Sequence, residues 1–135
     1  METERLVQAF LDHTLPKPGW THHAHLRVGL WHVLRHTDDE ALDLLRARIR
    51  AYNEATGVAN TATGGYHETI TRFYVLVIRS FVRVADISRP LDELAAGLIA
   101  ARGAKELPLQ HYSRELLFSP HARANWVEPD IAPIR

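Results

Sequence analysis

The residues best suited to chemistry in this chain are histidines at helical spacing. Two clusters carry them: Trp20-Thr21-His22-His23-Ala24-His25-Leu26 and Gly65-Tyr66-His67-Glu68-Thr69-Ile70-Thr71-Arg72-Phe73. His22 and His25 are three residues apart, so on a helix both rings can reach one ion. His67 brings a third nitrogen from a distant part of the chain. Three imidazoles with open positions describe a mononuclear transition-metal site. Nitrogen ligands suit Zn, Fe, Ni or Cu better than Mg or Ca. Each cluster reads as the first turn of a helix. There the positive dipole end disfavours imidazolium and helps keep a neutral, ligating ring. Glu68 and Tyr112 are the candidate acid–base groups, and Tyr66, Arg72, Asn60 and Trp20 the candidate substrate contacts. The spacing of Glu68 and Arg72 is also that of an ordinary solvated pair on one helix face.

These groups need a scaffold, and the pattern of apolar residues describes one. They recur at helical spacing throughout, with no convincing strand or repeat. Thr3 is placed to cap a first helix with a face of Leu6, Val7, Phe10 and Leu11. Leu15-Pro16-Lys17-Pro18-Gly19 breaks it. Thr21 caps a second helix that runs to about His36. Thr37 and Glu40 form a capping box for a third, which ends near Gly57. A polar loop over 58–65 leads to a fourth helix from about Tyr66 to Val84, the most apolar. Ser88 and Pro90 open a fifth, which stops at Gly103. Short helical turns follow, from Ser113 to Phe118 and from Ser119 into Ala124. The tail from Glu128 to Ile134 reads as extended chain on the bundle surface.

The expected fold is therefore all-α: one domain spanning 1–135, an up-and-down bundle of about five main helices. Short connections make neighbouring helices antiparallel, so the second and fourth run parallel. His22, His25, Tyr66, His67, His111 and Tyr112 then map to one end. Helical phase separates the histidines further. His22 and His25 head the core stripe of Leu26, Leu30, Val33 and Leu34, whereas His23 lines up with Arg27 on the outer face. His36 and His121 read as surface residues, and His32 and His111 stay open. Gly29 costs about 1 kcal/mol of helix propensity, which room for a ligand or a close helix would justify. Trp20, Trp31 and Trp126 read first as packing anchors.

Composition excludes several classes. The chain has 135 residues, enough for one domain with a real core. There is no cysteine, so neither disulfides nor thiolate ligands exist, which fits a cytoplasmic location. Sixteen basic residues balance sixteen acidic ones, so no net positive field draws the chain to nucleic acid or membrane. Only two of the sixteen basic residues are lysines, Lys17 and Lys105. No apolar run is long enough to span a bilayer, and the start lacks the pattern of a signal peptide. A phosphate-binding glycine loop and a nucleophile elbow are missing too.

The strings Trp20-Thr21-His22-x-Ala24-His25-Leu26-Arg27, Gly65 to Phe73, and Tyr112-Ser113-Arg114 through Trp126-Val127-Glu128-Pro129-Asp130 resemble a family of small, uncharacterised all-helical proteins. The resemblance spans most of the chain and implies one compact domain. Its pattern matches His22, His25 and the Tyr66-His67-Glu68-Thr69 string and does not require His23.

Three functional readings follow. The first is a small metal-dependent enzyme acting on a small organic substrate. His22, His25 and His67 hold the ion, Glu68 or Tyr112 assists as acid or base, and Arg72 or Asn60 orients the substrate. Hydrolysis, lyase chemistry and oxygen chemistry all fit. The second is a non-catalytic module in which two helix N-termini, with Arg27, Arg72, Asn60 and Thr63, hold a carboxylate or phosphate. The third is an interaction protein whose apolar faces complete a homodimer.

Overall fold

The computed structural model describes residues 2–134. Its five longer helices are α1 (Glu2–Leu11), α2 (His22–Arg35), α3 (Asp38–Ala55), α4 (Glu68–Val84) and α5 (Leu91–Arg102). Two short ones follow, α6 (Arg114–Leu117) and α7 (Pro120–Ala124), and there is no strand among the described residues. Single 3-10 turns at Lys17–Gly19 and Leu107–Gln110 complete the connections. None of the described helices is long and apolar enough to cross a membrane.

Local chemistry sets most of the boundaries. The Thr21 hydroxyl accepts from the Ala24 amide and starts α2. Thr37 and Glu40 complete a reciprocal capping box for α3. The Ser113 and Ser119 hydroxyls cap α6 and α7 by accepting from the Leu116 and Ala122 amides. The expectation for α1 needs correction. Thr3 lies inside the helix and is buried, and the cap arrives from another element. The Asp92 carboxylate of α5 accepts from the amides of Glu2 (3.2 Å) and Thr3 (2.9 Å). A carboxylate from a packed neighbour satisfies the same orphan amides that a local cap would.

Cross-helix contacts give the directions. Glu2 meets Arg27 and Glu4 meets Trp31, while Phe10 stacks on Trp20, so α1 runs antiparallel to α2. His22 packs beside Tyr74 near the start of both helices, and further along Arg79 reaches the Val33 and His36 carbonyls. Helices α2 and α4 are therefore parallel, as short connections require. Arg79 also binds Asp38 at 2.7 Å, so one guanidinium fastens the end of α2 and the start of α3 to α4. A cation on the last carbonyls of a helix opposes the negative end of its dipole.

The main core gathers Val7, Phe10, Leu26, Leu30, Val33, Leu45, Tyr52, Ile78 and Leu98 from five helices. A smaller cluster around Phe73, Val77, Tyr112 and Leu117 seats the C-terminal turns on the other side of α4. The tail is stitched to this cluster. The Ile131 amide donates to the His111 carbonyl, and Asp130 accepts from the amide and hydroxyl of Ser113. His111 contributes its Nδ1–H to the Ala132 and Pro133 carbonyls, a structural role that the sequence left open.

Candidate functional site

Between α2, α3 and α4 lies a cavity of about 350 Å³, lined mostly by Trp20, Leu26, Val28, Gly29, Leu45, Ile49, Ile70, Val75 and Ile78. Five residues put polar groups on this apolar wall: His22, His25, Thr71, Tyr74 and Lys105. Apolar walls with a few convergent polar groups are the usual make-up of a small-molecule pocket, and the size falls at the low end of that class. A second chamber of about 380 Å³ adjoins it and shares Trp20, His25, Ile49, Ile70 and Thr71 with it. Gly29 sits where α2 approaches α4 closely. It lines the cavity, and a Cβ there would come within 2.7 Å of Ile78 Cδ1.

His22 and His25 reach the cavity because the Thr21 cap fixes the first turn of α2, with both histidines on the side facing α4. The His25 Nδ1–H donates to the Thr21 carbonyl at 2.6 Å, which leaves Nε2 as the free, lone-pair-bearing atom. Its ring lies 3.7 Å from that of Trp20, centroid to centroid. Trp20 in turn stacks on Phe10. His25 lines both chambers and remains exposed to solvent. Desolvation by the protein packed around the ring lowers its pKa, the Thr21 carbonyl opposes that by favouring the protonated ring, and the solvent the ring keeps limits the fall. The pKa of His22 is also lowered, first by burial and then by its neighbour His23. Both rings are neutral at pH 7.

Of the residues that line the cavity, His22 and Tyr74 each carry a buried polar atom, Nε2 and the hydroxyl, with no hydrogen-bond partner within bonding distance. Their rings stand 5.8 Å apart in an edge-on arrangement. Burial pushes the Tyr74 phenol up to about 12, so it is a hydrogen-bond donor at neutral pH. Most buried polar groups are paired, so two unpaired atoms on residues that line one apolar cavity set this end of it apart.

His67 does not join this pair. It precedes the first turn of α4 as the N-cap residue, and its Nδ1 accepts from the Ile70 amide at 3.1 Å. Its Nε2–H donates to the Leu117 carbonyl at 2.7 Å. Both ring nitrogens are committed, so neither offers a lone pair to an ion. Among the described residues no three His, Asp or Glu side chains stand where they could hold a metal. The expectation that His22, His25 and His67 jointly ligate one ion is corrected on this ground.

The proposed acid–base groups are corrected in the same way. Glu68 is nearly buried, but its partner is Arg46 of α3 instead of Arg72. Arg46 Nε and Nη2 meet its two oxygens at 2.8 and 2.7 Å, and the Tyr66 hydroxyl donates to it at 2.8 Å. Burial raises the Glu68 pKa, yet these bonds outweigh it and hold the carboxyl below its usual range. A carboxylate locked this way is a strut between α3 and α4. Tyr112 is fully buried and donates to the Val127 carbonyl at 2.7 Å, away from the cavity.

The expected substrate contacts divide. Trp20 lines both chambers, and Tyr66 lines the second. Arg72 lies over the Trp126 ring at 4.6 Å and lines the groove beneath the tail. Asn60 holds the 58–65 loop together: its Oδ1 accepts from the Asn53 side chain and the Tyr66 amide. Arg27 pairs with Glu2, so the set Arg27, Arg72, Asn60 and Thr63 does not gather into one anion cradle. Tyr74, Thr71 and Lys105 escaped the sequence reading. Tyr74 carried one faint signal, a hydroxyl two turns beyond His67 on an otherwise apolar stripe.

No protein-family model, curated protein or solved structure matches this chain. The cavity and its polar atoms therefore carry the functional reading.

Proposed function

We propose that this chain binds a small organic molecule in the cavity between α2, α3 and α4, with the polar group of the ligand against His22 Nε2 and the Tyr74 hydroxyl. The observation that carries this is the pair of unpartnered polar atoms on one apolar wall. Two neutral imidazoles and a phenol also suit proton transfer, so turnover of the bound molecule by acid–base catalysis is consistent with the same arrangement. The test is methyl-detected NMR with neutral aromatic probes, indole and p-cresol. Saturable shifts of the Ile49, Ile70 and Ile78 methyls support the proposal, and their absence with every probe sinks it.

A second reading rests on the hydrogen bond from His25 Nδ1–H to the Thr21 carbonyl. That outer contact is the one that orients a metal-ligating histidine through Nε2. His22 and His25 would then hold a transition metal whose other positions the substrate or water fills. Metal content after exposure to Zn, Fe, Ni and Cu separates the readings. This one requires loss in His22→Ala and His25→Ala, and retention in His67→Ala.

A further inference from the structure

The charge around the two chambers narrows the class of molecule that fits them. No aspartate, glutamate or arginine lines either one. Lys105 is the charged side chain of the first chamber and Lys17 that of the second. These are the two lysines of a chain that otherwise uses arginine for its positive charge. Every ion pair among the described residues uses arginine, so neither lysine has an acidic partner there. Glu106 lines neither chamber, but its charge reaches His22 and Tyr74; at His22 the opposing charge of Lys105 is the larger influence.

We infer that the cavity takes an apolar monocarboxylate, an acid with an alkyl or aryl body, whose carboxylate meets Lys105, Tyr74 and His22 while the body lies along Trp20 toward the second chamber. Carboxylate recognition rests on the cavity being a ligand site, and it adds the sign and number of charges. A carboxylate has acceptors only, and this end of the cavity supplies donors: the Lys105 ammonium, the Tyr74 hydroxyl and, in one tautomer, His22 Nε2–H. The flexible lysine stem lets the ammonium follow the head group. A neutral ligand gains no charge attraction from Lys105, and a cation would be repelled. A phosphate dianion would bring a second negative charge that no further cation of the first chamber meets. The apolar walls take up the body, which drives entry by removing hydrocarbon from water.

Calorimetric titration of the intact chain with 4-phenylbutanoate and with 4-phenylbutanamide tests this, because the two probes share shape and differ in charge. The acid is expected to bind at least about tenfold more tightly at low salt, with the advantage shrinking as salt rises. Lys105→Gln, at an exposed position, is expected to bring the acid down to the affinity of the amide. Tyr74→Phe is expected to weaken the acid. Equal affinity of the two probes overturns the carboxylate inference and leaves the cavity reading standing. A preference for acid that survives Lys105→Gln also overturns it. If neither probe binds and indole and p-cresol fail as well, both fall together.

Discussion

His67 donates its Nε2–H to the carbonyl oxygen of Leu117 across 2.7 Å, joining positions fifty residues apart. With Nδ1 accepting from Ile70, the ring ties the start of α4 to the end of α6 and has nothing left for an ion. His67→Ala should therefore cost about 2 kcal/mol, the sum of a lost cap and a stranded buried carbonyl. His67→Asn supplies a capping oxygen in place of Nδ1 and should cost about half of that. Urea denaturation checks both values. Unchanged stability in His67→Ala would show that the ring does no structural work.

Gly29 gives a second expectation. Alanine there gains about 1 kcal/mol of helix propensity but places a Cβ 2.7 Å from Ile78 Cδ1. The obstructing atom is the end of a flexible side chain beside a cavity, so it can swing into the empty space. Gly29→Ala should change stability by less than about 1 kcal/mol and reduce binding of cavity ligands. Adding Ile78→Val should restore binding. A large loss of stability in the single variant would show that the Ile78 rotamer cannot move.

The partner of Glu68 is open to a direct comparison. Arg46→Met should cost about 2 kcal/mol, because it leaves a nearly buried carboxylate with only Tyr66; the figure is discounted for the partial exposure of Arg46. Arg72→Met should cost about 1 kcal/mol or less, from its lost packing on Trp126. Thermal or urea unfolding of the two variants decides, and the reverse order would restore the local Glu68–Arg72 pair.

His32 predicts a pH dependence. The ring is fully buried, donates Nδ1–H to the Val28 carbonyl and accepts at Nε2 from Arg48 of α3. Burial pushes its pKa from 6.5 down to about 4, the Val28 carbonyl opposes that, and the charges of Arg48, His36 and Arg35 add to the fall. The unfolded chain thus binds this proton more readily than the folded one. The stabilising contribution is complete above pH 6.5 and is lost as pH falls toward 4. Between pH 7.5 and 5 the loss is about 2 kcal/mol. A buried neutral replacement, His32→Gln, should flatten that part of the profile. Urea midpoints across pH test it, and an unchanged slope would assign the dependence to other groups.

The sequence by itself determined the helices and their order. Thr21, Thr37, Glu40, Ser113 and Ser119 act on amides within three residues, so their effect needs no fold. The phase that puts His22 and His25, but not His23, beside the cavity follows from helix geometry, although His25 stays exposed instead of joining the core. Only the tertiary structure decided partners. Asp92 caps α1 from α5, Arg46 displaces Arg72 at Glu68, and Leu117 takes the nitrogen of His67. Residue type states what a side chain can bond, but the nearest bidding group comes from whichever helix packs against it. The cavity belongs to the same class of fact. It is the volume that three packed helices leave unfilled, and the unpaired atoms of His22 and Tyr74 become visible only once the helices have packed and their neighbours have found partners.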